Sequence, residues 1–269
     1  MTLAVHLRSA VSLLGRFPAL AGVDLDVAGG ELVLLRGANG AGKTTLLRAC
    51  AGLVPFSTGT AEVLGHDLRR DRRSVRRQVG LLGHATFLYD DLTVEDNLRF
   101  SAKAAGSTAA AAEVAMARLG LGGRLRTVPT GKLSAGQRRR VALAAVVTRG
   151  PELWLLDEPH AGLDAGGRDM LDGLITEAVA NGATVLLASH ELERAGALAT
   201  RVVTLAGGQV RAEAVNHTAP GGAGAPPRRG DGDGAPSGKV NHTAPGGAGA
   251  PPRRGDGDGA PSGKVNNVA

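Results

Sequence analysis

Short apolar runs alternate with stretches of helical periodicity along residues 1–214, the pattern of an α/β domain with a largely parallel sheet. Apolar runs at 20–27, 31–35, 79–82, 152–156, 184–188 and 201–205 predict strands. Helical spacing predicts helices over 43–51, 94–105, 109–119, 135–148, 168–180 and 192–199. From about 86 to 149 the helices follow one another with no strand between them, so a helical subdomain is expected as an insertion into the α/β core. The run Thr93-Val-Glu-Asp96 supplies a capping signal at the start of the first inserted helix.

After residue 214 the pattern stops. Residues 215–264 are a 25-residue unit, VNHTAPGGAGAPPRRGDGDGAPSGK, written twice. The two copies hold no Leu, Ile, Met or aromatic residue, so they cannot bury enough apolar surface to offset chain entropy. A disordered tail over 215–269 is expected, leaving 1–214 as one domain with its own core.

The net charge of +6 is basic without being extreme, and nucleic acid is not an expected partner. The six arginines Arg69, Arg70, Arg72, Arg73, Arg76 and Arg77 read as a solvated surface segment, with attraction to anionic lipid headgroups the alternative. One cysteine, Cys50, excludes an internal disulfide and fits a reducing compartment. Its place on the helix over 43–51 marks it as a small core residue. No apolar run approaches 18 residues and no signal peptide is legible, so a soluble cytoplasmic chain is expected. Any membrane channel it serves must come from a separate chain.

Three motifs carry chemistry. The first is Gly37, Ala38, Asn39, Gly40, Ala41, Gly42, Lys43, Thr44, which matches G-x-x-x-x-G-K-[ST] between a predicted strand and a predicted helix. Glycines let the backbone curl so that several N–H groups face one anion, and the helix N-terminus beginning at Lys43, Thr44 and Thr45 adds positive potential. Lys43 can reach terminal phosphates, and the Thr44 hydroxyl can ligate Mg²⁺. The second is Leu153-Trp-Leu-Leu-Asp157-Glu158-Pro159, an apolar strand that delivers a carboxylate to the sheet edge. Asp157 suits Mg²⁺, through water, because that ion keeps most of its hydration and takes few protein ligands. Glu158 can orient or deprotonate a water. The third is Leu133, Ser134, Ala135, Gly136, Gln137 ahead of a helix, where Ser134 can cap the helix and the Gly136 N–H can face an anion.

Taken in their order along the chain, the motifs resemble those of the ATP-binding cassette family, over about residues 3–213. The resemblance implies a P-loop NTPase core, mainly parallel with an antiparallel β part, that binds ATP with Mg²⁺ as cofactor and hydrolyses it. It implies that Asp164, in Ala161-Gly-Leu-Asp164, belongs to the loop following the catalytic carboxylate, and that His190 is the histidine contacting the terminal phosphate. It also implies a head-to-tail homodimer in which each ATP lies between one protomer's Gly37–Thr44 loop and its partner's Ser134–Gln137. Such subunits sit peripherally on the inner face of the cell membrane beside an integral permease. The spelling around Leu82-Gly-His84 and Leu133-Ser-Ala-Gly-Gln137-Arg-Arg-Arg is most similar to the haem-exporter ATPases of cytochrome c maturation. A drug or lipid exporter is the alternative, and a soluble non-transport cassette protein stands further off.

Two positions depart from the family's pattern. His84 stands where the family usually has the Gln that joins core to helical subdomain, and an imidazole retains hydrogen-bonding capacity there. The aromatic residue that usually stacks on adenine is missing near Leu14; either Leu14 offers apolar contact or nearby Phe17 substitutes.

Overall fold

The computed structural model describes residues 2–216. The duplicated tail lies outside the described residues except for its first two positions. Val215 closes the last strand. Asn216 donates its side-chain amide to the Gly196 and Ala199 carbonyls at 2.8 and 3.0 Å.

Two sheets organise the core. Strands β1 (Leu3–Leu14), β2 (Phe17–Ala28), β4 (Thr58–Val63) and β5 (His66–Asp67) form an antiparallel sheet in the order β2-β1-β4-β5. Strands β3 (Leu32–Arg36), β6 (Val79–Leu82), β7 (Leu153–Asp157), β8 (Thr184–Ala188), β9 (Arg201–Ala206) and β10 (Gln209–Val215) form the second sheet. Its order is β10-β9-β3-β8-β7-β6, parallel throughout except for β10, which pairs antiparallel with β9 at the edge.

The central strands are apolar on both sides because both faces are covered. Val33 and Leu35 of β3, Leu153 and Leu155 of β7, and Leu186 of β8 face a core shared with the antiparallel sheet and helix α1 (Lys43–Cys50). Leu32, Leu34, Leu156, Val185 and Leu187 face the second core. There they pack with helices α2 (Val94–Ala105), α3 (Ala109–Arg118), α4 (Ala135–Arg149), α5 (Ala165–Ala180) and α6 (Leu192–Leu198). No helix among the described residues is long and apolar enough to cross a membrane.

Helices α2, α3 and α4, with two short 3₁₀ turns between them, make up the stretch after residue 86. Thr93 caps α2, its hydroxyl oxygen accepting from the Asp96 N–H at 3.1 Å. Helix α5 begins three residues before the expected start, because Asp164 accepts from the Gly167 N–H at 2.8 Å and caps it at that point. Strands β1, β4, β5 and β10 are additions to the expected set.

Cys50 ends α1 fully buried, and burial pushes its thiol up to about 12. The thiolate is the reactive form, so the native chain should resist a water-soluble thiol reagent and react on unfolding. Stoichiometric labelling under native conditions would contradict this burial.

Candidate nucleotide-binding site

The carboxyl ends of β3, β7 and β8 deliver their following residues to one edge of the parallel sheet. From β3 the chain enters the loop Gly37–Gly42 and then α1. Gly42 is the N-cap at φ 106°, with no side-chain hydrogen bond, and a Cβ there would stand 2.9 Å from the Ala19 carbonyl. Only glycine fits that turn. The first-turn N–H groups of α1 have no intrahelical acceptor and no capping side chain, which makes them donors for an anion. The Lys43 ammonium is held on the loop's own carbonyls, donating to Gly37 at 2.7 Å and Ala38 at 3.1 Å.

Opposite the loop, the Thr44 hydroxyl donates to Asp157 Oδ2 at 2.8 Å. Two hard oxygen donors thus meet at the start of α1, a pair suited to a Mg²⁺ ion whose remaining ligands are water and phosphate. Among the described residues there is no larger His, Cys, Asp or Glu cluster that would enclose a metal within the protein.

Glu158 follows at φ 48°, a left-handed conformation that costs a non-glycine residue about 1–3 kcal/mol. Its N–H donates to the Ala188 carbonyl at 2.8 Å. Its carboxylate accepts from the His190 N–H at 3.1 Å, and the His190 ring Nε2 stands 3.5 Å from it. The strained turn therefore places Glu158 beside His190.

These groups line one open cleft of about 400 Å³, together with Asn39, Gly40, Thr45, His84 and Leu14. The His84 side chain has no hydrogen-bond partner among the described residues, and it faces this cleft. Leu14, at the end of β1, is in the lining, whereas Phe17 is 80% exposed and outside it.

Leu133, Ser134, Ala135, Gly136 and Gln137 lie elsewhere and do not line the cleft. Ser134 and Gln137 form a reciprocal capping box on α4: the Gln137 N–H donates to Ser134 Oγ at 3.3 Å, and the Ser134 N–H donates to Gln137 Oε1 at 3.0 Å. Asp164 sits nearby. Its carboxyl is held below the usual range by the Gly167 N–H and then by Arg140, which donates to both its oxygens at 2.9 and 3.0 Å.

Two residues at this edge escaped the motif reading. The buried Asn97 holds the loop after His84 through both Tyr89 main-chain groups, at 2.9 and 3.0 Å. Arg139 donates to four carbonyls, of Gly83, Asp157, Glu158 and Pro159.

Comparison with known proteins agrees with this geometry. The family model described as ABC transporter matches residues 20–161. The cytochrome c biogenesis ATP-binding export protein CcmA of Bordetella bronchiseptica is 39% identical over 204 residues, 75% of this chain and 91% of that protein. Its counterpart in Bradyrhizobium diazoefficiens is 38% identical over 183 residues, 68% of this chain and 90% of that protein. The human phospholipid-transporting ATPase ABCA7 is 36% identical over 197 residues, 72% of this chain but 9% of that protein. Among solved structures, an ATP-binding subunit of an ABC transporter aligns with a TM-score of 0.74 at 29% identity, covering 80% of this chain and 91% of that one. A dimeric cassette bound to ADP and Pi shares the fold, with a TM-score of 0.69 at 24% identity over 78% of this chain and 98% of that one. This chain therefore belongs to the ABC transporter family, and its chemistry is the binding and hydrolysis of ATP.

Proposed function

We propose that this chain is the ATP-hydrolysing subunit of a membrane exporter of the cytochrome c biogenesis type, with haem the cargo class. The observation that carries the mechanism is a separation: the phosphate loop, Asp157, Glu158 and His190 share one cleft, while Ser134–Gln137 stands outside it. One protomer then offers half of each site, and two head-to-tail copies complete both. Lys43 and the first-turn N–H groups of α1 bind the phosphates. Glu158 orients and deprotonates the attacking water, and His190 meets the terminal phosphate. Thr44 and Asp157 would hold Mg²⁺, Asp157 through water; when bound, the ion neutralises phosphate charge.

The membrane partner is an integral permease, met at the cytoplasmic face of the membrane. A second groove of about 310 Å³ runs between the core and the inserted helices and is lined by Arg76, Phe87, Leu88, Tyr89 and Phe100. Phe87 and Tyr89, both on the loop after His84, are 64% and 53% exposed. Exposed aromatics around a groove favour a protein partner there. Since Asn97 ties this loop to α2, a change at the groove has a short path to His84.

Deleting the gene in its own host should abolish covalent haem attachment to cytochromes c, with restoration by the wild-type chain and not by Glu158→Gln. Normal cytochromes c in the deletion strain would leave the lipid-exporter reading, which the 36% identity to ABCA7 supports. His84→Ala should lower permease-stimulated ATP hydrolysis several-fold more than basal hydrolysis, because it removes a polar group from the loop without touching Lys43 or Glu158. Equal losses with and without the permease would place His84 in the chemistry itself.

A further inference from the structure

Arg139 is 7% exposed and, among the described residues, forms no ion pair and is held by main-chain carbonyls alone. Nη2 donates to Asp157 at 3.0 Å and Glu158 at 2.6 Å, Nε donates to Pro159 at 3.4 Å, and Nη1 donates to Gly83. Three consecutive carbonyls can converge on one guanidinium because the chain turns at Glu158, whose φ is 48°. A planar fork of five N–H donors suits such an arrangement; an ammonium offers fewer donors in a less fixed geometry.

Burial works against the charge, holding the guanidinium below the usual arginine range, while the neighbouring Asp157 and Glu158 carboxylates favour it. A Leu or Met would fill the space with no such desolvation. What an apolar side chain cannot do is fix the carbonyls on either side of the Glu158 Cα. Arg139 also lies two residues beyond Gln137 on α4, the helix whose N-terminus carries the motif that stands outside the cleft. It therefore spans three parts: helix α4, the turn at Glu158, and Gly83 next to His84.

We infer that Arg139 is a positioning residue that aims the Glu158 carboxylate by gripping its backbone, and that ties this aim to helix α4 and to the His84 loop. The inference rests on the reading of Glu158 as the group that activates water. It goes beyond that reading in making the aim of Glu158 depend on the helix presented to the partner protomer.

The test uses the 269-residue chain and steady-state ATP hydrolysis with Mg²⁺. Arg139→Gln should lower kcat about 10- to 100-fold, since a displacement near 1 Å at a reacting group has that effect, with KM for ATP changed by less than about threefold. Arg139→Lys, which keeps the charge and part of the donor set, should fall between Gln and wild type, and it also serves if the Gln variant fails to fold. The decisive readout is coupling: in a Glu158→Gln background, Arg139→Gln or Arg139→Lys should slow hydrolysis by no more than about twofold further, because the group it aims is already gone. A purely structural residue would instead give independent losses, multiplying in the double variant, or an equal rise in KM; either result overturns the inference. A wild-type rate in folded Arg139→Gln and Arg139→Lys, with Glu158→Gln slow, would overturn it alone. A wild-type rate in Glu158→Gln would overturn the reading of Glu158 and this inference with it.

Discussion

Glu158→Gln is expected to slow ATP hydrolysis by about 10²-fold or more while leaving ATP bound, the loss typical of removing a general base. The two side chains have the same shape. Gln can still present an oxygen to the His190 N–H, which the Glu158 carboxylate accepts at 3.1 Å, and the backbone turn at φ 48° is untouched. Lys43, Thr44 and Asp157 keep their places, so the phosphates keep theirs. What disappears is the ability to take a proton from water. Bound ATP that is not cleaved should then hold two protomers together, and the variant should elute as a dimer in size-exclusion chromatography at saturating ATP. A slow variant that stays monomeric under those conditions would contradict the shared-site arrangement while sparing Glu158 as the base.

The readable parts of this protein are those where one local pattern carries both structure and chemistry. The β3–loop–α1 unit was legible because an apolar run, a glycine-rich turn and Lys43-Thr44 occur together, and each restricts the others. The central strands were legible because burial on both faces leaves an unbroken apolar run. Strand β1 was not, because its alternation breaks. Leu7 and Ala10 are both buried although three positions apart, and the shift comes from a bulge where Ser9 takes φ 46°. Strand β4 has only Ala61 and Val63 buried, and β5 is two residues long, so neither leaves a hydrophobic trace. Which of Leu14 and Phe17 lines the cleft depends on the hairpin's register, since the two pair directly across its turn and only Leu14 is in the lining. Arg139 was hidden for a different reason: its partners are carbonyls, which every residue owns. Side-chain motifs cannot reveal a contact made to the main chain.

The separation of Ser134–Gln137 from the cleft has a consequence that two inactive variants can expose together. Lys43→Ala should lose tight nucleotide binding at its own half-site, because the ammonium that reaches the phosphates is gone. Gly136→Asp should place a negative charge where the partner's phosphates would approach. Asp in the first turn suits the helix dipole of α4, so the helix should survive, although the new Cβ would stand 3.0 Å from the Gly162 carbonyl and needs a small local shift. Each variant alone should hydrolyse ATP at a small fraction of the wild-type rate, as each of its two symmetric sites contains one defect. In a mixed dimer the defects distribute unequally: one site receives both, and the other pairs an intact Gly37–Thr44 loop with an intact Ser134–Gln137. Equal mixing should therefore restore roughly a quarter of the wild-type rate, half of the dimers being mixed and each having one sound site of two in a twofold assembly. Full-length chains mixed at concentrations that sustain ATP-dependent dimers, assayed for phosphate release, make the measurement. No recovery from two folded variants that demonstrably form mixed dimers would mean that the sites act only as a pair or lie within single chains. Single-chain sites are separable from paired action, since they would also let a dilution series of the wild type keep a constant rate per chain.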